Sequence, residues 1–405
     1  MDHLAILLCM TGVLLWGTST GSGGAVLTTL AVFSGTNGAR PSSGLLLARD
    51  GNFYGTTAEG GANDLGTIFR MTPDGGLTTV ASFNGRNGKI PCGGLVQGED
   101  GALYGAAAQG GRKSGDGVVF KLTSEGNLTA LFSFSDYDDN GGESPDGFSP
   151  RQLFDGNDGW FYGRTARHHF GGGAGTAFRI NPRGSLETLA TFESQAEPAW
   201  LVRAFNGHYS FTKASLGFRL APLSTMQIVK KLGSLGTLAA GEDGKFYGTT
   251  TDGGPGGGGT VFRVSSTGAV TNLVSFDSNN SVNGRSPCSE LTVGRDGNLY
   301  GTTFAGDTNG PPPDLTKYAT RNANGAWVLM DTNRPFPGLK PDLGTVFKMV
   351  PSGKITTLAV FYRTNGCYPT RGLAEGKDGT FYGTTTEGGI GPSPKGTLFR
   401  LRVTP

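Results

Sequence analysis

The chain has 405 residues, 71 of them glycine, and its 34 basic and 32 acidic residues leave a net charge of +2. Glycine far exceeds its usual share of about 7%, but the 10% of aromatic residues and the regular placement of glycine beside apolar runs argue against disorder. The near-balanced charge, without a long block of one sign, excludes a basic groove for nucleic acid.

The first 24 residues are predicted to be a secretory signal peptide. Leu4–Trp16 is an apolar run of 13 residues followed by small residues, although Met1–His3 lacks the usual lysine or arginine. The run is shorter than the roughly 20 apolar residues of a spanning helix. We therefore expect residues 25–405 to be secreted or to lie at the cell surface, with no transmembrane span after signal removal.

A repeated phrase, Asp-Gly-x-Phe/Leu-Tyr-Gly-Thr-Thr, recurs about every fifty residues along the rest of the chain. The copies begin at Asp50, Asp100, Asp158, Asn206 (a worn copy), Asp243, Asp296 and Asp378. The pair Asp-Gly predicts a tight hairpin turn, because both positions tolerate a positive φ angle. This turn would join strand A, the apolar run before it, such as Leu45–Arg49, to strand B, the Phe-Tyr-Gly-Thr-Thr segment.

Two further phrases follow each copy and predict strands C and D. Strand C reads Gly-Thr-x-Phe-Arg/Lys, as at 66–70 and 259–263, and strand D alternates apolar and polar residues, as at Leu77–Phe83. Four antiparallel strands in a repeat of this length are typical of a propeller blade. The sequence therefore predicts an all-β, seven-bladed β-propeller of four-stranded antiparallel blades over residues 25–405.

The two ends of this region are complementary. The last copy stops after strand C at 396–402, whereas Val26–Phe33 reads as a strand D with no strand A, B or C before it. We expect these two segments to pair, which would complete the last blade and close the ring without exposed sheet edges.

The phrases Tyr-Gly-Thr-Thr, Gly-Gly and Gly-Thr-Val/Ile-Phe, spaced as here, resemble the GloVer-type tandem repeat of exported "choice-of-anchor" bacterial proteins. The resemblance covers residues 26–405. It implies export and a propeller-like repeat domain, and it implies no activity. The chain ends in Leu-Arg-Val-Thr-Pro rather than in a sorting or anchoring segment, which favours free secretion over surface attachment.

The repeated aspartates and tyrosines are interpreted as structural. A calcium site needs six to eight oxygens, usually from several acidic residues of one loop, whereas here a lone aspartate precedes glycine. Tyr54 and its counterparts are expected to pack between neighbouring sheets rather than to form a sugar-binding ring. The basic residue after the phenylalanine of strand C, such as Arg70, is expected to face outward. We expect no metal and no cofactor.

Residues that break the repeat are the better candidates for function, because the scaffold does not require them. In blade three, Arg164, Arg167, His168 and His169 replace the usual Thr-Glu-Gly-Gly pattern and are candidate binding residues. Two adjacent histidines do not make a complete metal site. An ordinary exposed loop is the alternative interpretation.

Blade six carries an insertion of roughly 30 residues between strands B and C, within residues 304–342. Long loops in compact folds are usually functional or disordered. Ala323–Asp331 reads as a strand, and a long hairpin here could lie across the mouth of the ring. Tyr318 and Trp327 are its candidate binding residues, and a passive insertion is the alternative.

One face of the propeller is expected to collect these variable segments, because the B–C and D–A connections share a face. The segments that carry Cys92, Cys288 and Cys367 would lie there as well. A disulfide between Cys288 and Cys367 and three free thiols both remain open. The absence of a Cys-x-x-Cys spacing argues against a zinc site.

These patterns favour an exported, non-catalytic and monomeric scaffold that binds a glycan, a peptide or a protein. No nucleophile elbow, phosphate loop or His-Glu-x-x-His motif is present. The alternative is an enzyme, a hydrolase, lactonase or lyase, with its site at the channel mouth. Its candidate residues are Arg164, His168, His169, Asp155, Glu242 and Glu290. An enzyme requires titratable groups from different blades to converge on one point.

Overall fold

The structure is a computed structural model, and it describes the greater part of the chain. The described residues are 16–20, 24–112, 115–135, 146–166, 175–191, 198–203, 209–213, 216–220, 226–231, 235–241, 243–265, 269–278, 283–305, 319–321, 327–329, 343–369, 371–391 and 393–403. These residues form β-strands and turns with no α-helix, in agreement with the predicted all-β class.

The chain opens with two paired strands, β1 (Trp16–Thr20) and β2 (Ala25–Val32). Sheet I then contains β3 (Ala39–Pro41), β4 (Leu46–Leu47), β5 (Phe53–Glu59), β6 (Thr67–Met71) and β7 (Leu77–Ser82). Sheet II contains β8 (Lys89–Gln97), β9 (Leu103–Gln109), β10 (Val118–Leu122) and β11 (Leu128–Ser133). Sheet III contains β12 (Phe148–Asp155), β13 (Phe161–Ala166), β14 (Thr176–Ile180) and β15 (Leu186–Thr191).

The second half of the chain continues the pattern. Sheet IV contains β16 (Pro198–Arg203), β17 (Tyr209–Lys213), β18 (Leu216–Leu220) and β19 (Met226–Lys231). Sheet V contains β20 (Leu235–Ala240), β21 (Phe246–Thr250), β22 (Gly257–Val264) and β23 (Val270–Asp277). Sheet VI contains β24 (Arg285–Pro287), β25 (Thr292–Val293), β26 (Leu299–Ala305), β29 (Thr345–Met349) and β30 (Ile355–Val360), and a separate hairpin contains β27 (Ala319–Arg321) and β28 (Trp327–Leu329).

Sheet VII joins the two ends of the described chain. It contains β31 (Ala374–Glu375), β32 (Phe381–Thr385) and β33 (Thr397–Val403), and then β2 and β1, in that spatial order. Strand β2 runs antiparallel to β33, with Ala25 opposite Val403 and Val32 opposite Thr397. The predicted pairing of the N-terminal strand D with the last strand C is therefore present, and β1 adds a fifth strand outside it.

The predicted order of strands A to D holds in each sheet, but strand A is shorter than expected in sheet I. Only Leu46 and Leu47 of the predicted Leu45–Arg49 pair with strand B, and β3 pairs separately before them. The Oγ atom of Ser43 accepts a hydrogen bond from the backbone N–H of Thr56 at 2.8 Å. Because this side chain replaces a ladder bond, the backbone of strand A bends away between β3 and β4.

Strand B carries glycine because the phenylalanine of strand C packs across it. Gly55 lies directly opposite Phe69, and Gly301 lies opposite Phe347. A Cβ atom added to either glycine would meet the Cζ atom of the facing ring at 2.5 Å. The same pairing recurs in the other sheets whose side chains are described, at Gly105–Phe120, Gly163–Phe178, Gly248–Phe262 and Gly383–Phe399.

The threonines of strands B and C bind each other. Thr57 and Thr67 share a hydrogen bond between their Oγ1 atoms at 2.8 Å, and both side chains are buried. Equivalent pairs are Thr165–Thr176, Thr250–Thr260, Thr303–Thr345 and Thr385–Thr397. These pairs explain why both phrases of the repeat contain threonine, since each buried hydroxyl needs a partner.

The Asp-Gly pairs form the predicted turns, and in five described copies the carboxylate also accepts the hydroxyl of the repeated tyrosine. In the last copy Tyr382 donates to the Pro73 carbonyl instead. Tyr300 donates its hydroxyl to Asp296 at 2.8 Å, while the backbone N–H of Asn298 donates to the same carboxylate at 3.1 Å. The tyrosine rings pack against the next sheet, as Tyr300 does against Phe381 at 4.0 Å between ring centroids. The structural interpretation of both residue types is therefore confirmed for the described copies.

The basic residue after the strand-C phenylalanine has a more specific contact than predicted. Lys348 binds the Asp296 carboxylate at 2.9 Å and lies over the Tyr300 ring, and Lys121 repeats this at Asp100 and Tyr104. The lysine stem covers the ring while its ammonium group bonds to the turn.

The core consists of apolar layers between consecutive sheets. One layer joins sheets I and II, another joins sheets II and III, and others join sheets V and VI and sheets VI and VII. A further layer joins sheet VII to sheet I through Phe33, Phe53, Phe69 and Tyr382. Sheets I, II, VI and VII are thus each packed on both sides, by the sheet before and the sheet after them.

Two predicted segments are described in part. The insertion forms a short hairpin, with Arg321 opposite Trp327, so the expected strand within Ala323–Asp331 is present at Trp327–Leu329. Each of its two described strands contains three residues, and the residues that flank them lie outside the described part of the chain. Residues 1–15, which hold most of the predicted signal peptide, lie outside the described residues. Among the described residues, no helix could cross a bilayer.

Candidate functional site

A cavity of about 220 Å³ lies where the inner strands of five sheets meet. Its walls come from strand A, or from the residues just before it, in sheets I, II, III, VI and VII. The lining residues are Gly44, Leu45, Leu46, Gly93, Gly94, Leu95, Val96, Gln152, Leu153, Phe154, Cys288, Glu290, Arg371 and Gly372. The cavity therefore lies among the first strands of five sheets.

A proline precedes the cavity-lining residues of each of these five sheets, which we call the inner segments, and helps to fix their position. Pro41, Pro91, Pro150, Pro287 and Pro369 occupy this position in sheets I, II, III, VI and VII. The residue before each proline has a positive φ angle, at Arg40, Ile90, Ser149, Ser286 and Tyr368, with values of 52° to 57°. In sheet II, the N–H of Ile90 donates to the Leu65 carbonyl of sheet I at 3.1 Å. The unusual conformation thus clamps neighbouring sheets together.

The residue after the proline makes a second contact between sheets. The hydroxyl of Ser42 donates to the Pro91 carbonyl at 2.7 Å, and the thiol of Cys92 donates to the Pro150 carbonyl at 3.2 Å. Cys288 points at the Pro369 carbonyl in the same way, at 3.9 Å. Two of the cysteines therefore take the structural place of a serine.

The three described cysteines are free, so the disulfide alternative between Cys288 and Cys367 is not formed. Burial raises the pKa of the Cys288 thiol to about 11 and that of Cys367 to about 12. Burial also raises the pKa of the Cys92 thiol. These thiols stay protonated at neutral pH and are poor nucleophiles.

Polar side chains from different sheets converge on the cavity. The Nε2 atom of Gln152 in sheet III donates to the Oε1 atom of Glu290 in sheet VI at 3.0 Å. Arg371 and Cys288 line the same space. The Nε atom of Arg371 is buried and has no hydrogen-bond partner among the described residues.

Three arginines, of which Arg151 is exposed, lie near enough to Cys92 to affect its ionisation. The guanidinium groups of Arg151, Arg371 and Arg164 each oppose the rise in the pKa of the Cys92 thiol, although burial outweighs them. The Arg371 guanidinium likewise opposes the rise in the pKa of the Cys288 thiol. Three positive groups from sheets III and VII therefore act on this part of the molecule.

The structure tests some of the residues that the sequence singled out. Arg164 lies in β13 opposite Gln152, next to the cavity wall. Glu290 lines the cavity, whereas Asp155 is exposed at the end of β12 and is not part of the lining. Trp327 lies in β28, where only the backbone is described. Arg167, His168, His169, Tyr318 and Glu242 lie outside the described residues.

Sequence reasoning missed Gln152, Arg151 and Arg371. Aligning the segments that follow the prolines could have found Arg371. It stands two residues after Pro369, where sheets I and VI have Ser43 and Ser289. The same alignment marks Glu290, which stands where other sheets have Gly44, Gly94 and Gly372, and it shows that sheet III has one residue fewer.

No cluster of three or more metal-ligating side chains is found in the described part of the chain. The described Asp-Gly carboxylates accept hydrogen bonds from within their own turns, as at Asp50, which accepts from Asn52 and also from Tyr54.

The model of the Gloeobacter/Verrucomicrobia repeat family matches residues 14–218, about half of the chain. The chain belongs to this family. The membership agrees with the GloVer-type resemblance of the repeated phrases. No significant match to a curated protein sequence was found.

Solved structures similar to this GloVer-type protein support the fold. Virginiamycin B lyase from Staphylococcus aureus is 13% identical, with a TM-score of 0.59 over 94% of this chain and 100% of that one. A catalytically inactive variant of that lyase with quinupristin is 12% identical, with a TM-score of 0.60 over the same shares. A putative 6-phosphogluconolactonase from Bacteroides uniformis is 15% identical, with a TM-score of 0.51 over 82% and 88% of the two chains. At these identities the likeness concerns the fold alone.

Proposed function

We propose that the sheets are the seven blades of a closed β-propeller, and that this propeller is an exported binding protein with its ligand site in the central channel. The single observation that carries the binding role is the convergence of Gln152, Glu290 and Arg371 on one cavity. These residues come from three different sheets.

A contact repeated between sheets supports the closed ring. The glycine that opens strand C lies against the proline of the next sheet, so that a Cβ atom on Gly66 would be 2.6 Å from Pro91. Gly396 of sheet VII makes the same contact with Pro41 of sheet I, at 2.7 Å. The last sheet thus meets the first through the contact that consecutive sheets use.

The departures from the repeat support a binding role. Glu290 replaces a glycine, Arg371 replaces a serine, and Arg164 replaces the first threonine of strand B. The scaffold folds around small residues at these positions in its other sheets. Larger polar side chains that lie together at one cavity therefore indicate ligand binding rather than a purely structural role.

Export is proposed from the apolar run Leu4–Trp16. The full chain would be expressed in a bacterial host, and the N-terminus of the mature protein would be determined by mass spectrometry. Cleavage near residue 24 and recovery outside the cytoplasm are expected. Retention of an intact N-terminus inside the cell would reject this part of the proposal.

The binding role can be tested by filling the cavity without touching its polar groups. A Cβ atom on Gly94 would meet nothing within 4 Å, so Gly94→Leu should fold and place its side chain in the cavity. Labelled protein would be applied to glycan and peptide arrays, with Ala62→Leu in an exposed loop as the matched control. We expect Gly94→Leu to lose the bound ligand and Ala62→Leu to keep it. Equal binding by both variants would show that the ligand does not bind in the channel.

The insertion and the loop of sheet III provide a second comparison on the same arrays. Tyr318→Ala and Trp327→Ala test whether the insertion contacts the ligand, and His168→Ala, His169→Ala and Arg167→Ala test the other loop. We expect a partial loss of binding where a loop contributes. Unchanged binding in a variant removes that residue from the site.

An enzyme is the second candidate, because Glu290 and Arg371 bring a carboxylate and a guanidinium from two sheets to one cavity. The structural neighbours named as a lyase and a 6-phosphogluconolactonase suggest the substrates to try first. Turnover of virginiamycin B or of 6-phosphogluconolactone that disappears in Glu290→Gln would support catalysis. No turnover by the wild-type protein favours the binding role.

A further inference from the structure

Positive side chains from sheets III and VII lie at the cavity or beside it. Arg371 lines it directly, while Arg164 and Arg151 lie close enough to act on the adjacent Cys92. The one carboxylate of the lining, Glu290, accepts a hydrogen bond from the neutral amide of Gln152. A partly buried guanidinium is costly unless an anion or several acceptors satisfy it.

Among the residues that line the cavity, Arg371 has bonding capacity that the described residues do not use. Its Nε atom is buried without a hydrogen-bond partner among the described residues. A guanidinium presents its N–H groups as a planar fork, and that fork fits the two oxygens of a carboxylate or phosphate. The arginine is therefore suited to an oxyanion that enters the cavity.

The two half-buried arginines, Arg164 and Arg371, are substitutions that the fold does not need. Ser43 and Ser289, at the position of Arg371, bond to the backbone N–H of Thr56 and Thr302 in strand B. The position of Arg164 holds Thr56 in sheet I and Thr302 in sheet VI, both fully buried. Replacing those small side chains by arginine gives up well-packed contacts, which argues for a role in ligand recognition.

We infer that the channel cavity binds an oxyanion, the carboxylate or phosphate of a hydroxylated small molecule or chain end, with Arg371 as its direct partner and Arg164 beside it. This inference rests on the proposed channel site and names its ligand chemistry. The Glu290 carboxylate, which lines the same cavity, is suited to accept a hydroxyl of the same ligand. The cavity volume of about 220 Å³ admits an end group rather than a length of polymer.

The test is isothermal titration calorimetry at low and high ionic strength with three probes that share one scaffold. D-glucuronate carries a carboxylate, glucose 6-phosphate carries a phosphate, and methyl α-D-glucoside is neutral. Binding of either anion, with weaker binding in high salt and none of the glucoside, is expected. The preferred anion identifies which oxyanion the site takes.

Variants that restore the repeat residue assign the binding to the arginines. Arg371→Ser and Arg164→Thr should fold, because the other sheets carry serine and threonine there. We expect Arg371→Ser to weaken anion binding about tenfold to a hundredfold, the effect of losing charge-assisted hydrogen bonds. Arg371→Lys, which keeps the charge and loses the fork, should weaken it less. Arg86→Ser removes an exposed arginine from the loop before β8 and should change nothing.

The outcomes separate this inference from the proposed function. If the glucoside binds as tightly as the anions and Gly94→Leu abolishes binding, the channel site stands and the oxyanion inference is wrong. If the anions bind equally well to the wild type and to Arg371→Ser, the inference is also wrong. If no probe binds the wild-type protein, the oxyanion inference is overturned for both anion classes, while the arrays still decide the channel site. As a check independent of variants, a selenate soak should give an anomalous peak at the Arg371 guanidinium.

Discussion

At the scale of single residues, the repeated residues are explained by specific hydrogen bonds rather than by general turn or strand propensities. The turn aspartate was predicted from its neighbour glycine, and the structure adds that its carboxylate holds the tyrosine hydroxyl and, in two copies, a lysine. The sequence could not reveal this network, because the three residues become neighbours only when strands B and C pair. Arg371 was missed for a similar reason. Only when the inner segments are superimposed does it become clear that this arginine stands where other sheets have serine.

The Asp296 carboxylate should make the protein more stable at neutral pH than at acid pH. Burial alone raises the pKa of Asp296, but hydrogen bonds from Lys348, Asn298 and Tyr300 outweigh burial and hold that pKa below its usual range. A lowered pKa gives stability that is present above the unfolded value of about 4 and is lost as the pH falls through the folded value.

We therefore expect Asp296→Asn to lower the free energy of unfolding by about 1 kcal/mol at pH 7, since the site is partly exposed. The difference from wild type should shrink at about pH 2.5, because below about pH 4 the carboxylate of the unfolded chain takes up a proton that the folded carboxylate still resists. Urea unfolding at the two pH values measures it, with the exposed Glu99→Gln as control. A difference that is constant with pH would show that charge plays no part.

Ile90 is a site where a substitution should stabilise the protein. Its φ angle is +54° and its side chain is 39% exposed, so a β-branched residue occupies the left-handed region without being buried in return. That conformation costs roughly 1–2 kcal/mol, and asparagine tolerates it better. We expect Ile90→Asn to raise the free energy of unfolding by about 1 kcal/mol in urea unfolding, and Ile90→Val, which keeps the branch, to give no gain.

At the scale of the strands, the sequence predicted what recurs and failed where a side chain replaces a backbone bond. Strands B and C were predicted within one or two residues, because their glycine, threonine and phenylalanine form direct cross-strand pairs. Strand A was predicted too long in sheet I, because Ser43 interrupts its ladder. The same interruption leaves the residues before strand A free to line the cavity. The candidate site therefore lies where the alternation of apolar and polar residues predicted the strand boundaries least well.

The strand-B glycine should not tolerate a methyl group. Gly301 faces Phe347 across the ladder, and an added Cβ atom would lie 2.5 Å from the ring and 2.8 Å from Leu291 Cδ2. We expect Gly301→Ala to cost roughly 1–3 kcal/mol, because the packed ring must shift. Thermal unfolding measures this, and Gly94→Ala, where the added atom meets nothing, is the control. Equal melting temperatures would show that the ring moves freely.

At the scale of the whole molecule, the pairing of β2 with β33 joins the two ends of the described chain. The sequence was enough to predict this pairing. The first segment contains a strand D alone, the last repeat contains strands A, B and C without strand D, and together they make one complete repeat. The sequence could not predict β1 as a fifth strand, since its residues carry no repeat pattern.

Removal of β2 should be far more damaging than removal of the residues before it. A chain that begins at Ala25 keeps β2, whereas a chain that begins at Ser34 loses Leu30 and Phe33 from the layer between sheets VII and I and exposes the edge of β33. We expect the shorter chain to aggregate or to melt much lower, measured by scanning calorimetry and light scattering. Similar melting curves for the two chains would mean that the pairing contributes little.

The register of β2 on β33 also allows a rearranged chain. Ala25 lies directly opposite Val403, so a two-residue turn such as Asp-Gly could join them into one continuous hairpin. New termini could then be opened in the exposed turn Ser124–Gly126 between β10 and β11. Such a circular permutant would turn a contact between distant residues into a local one and move the chain break from sheet VII to sheet II, leaving the inner wall of the cavity unaltered.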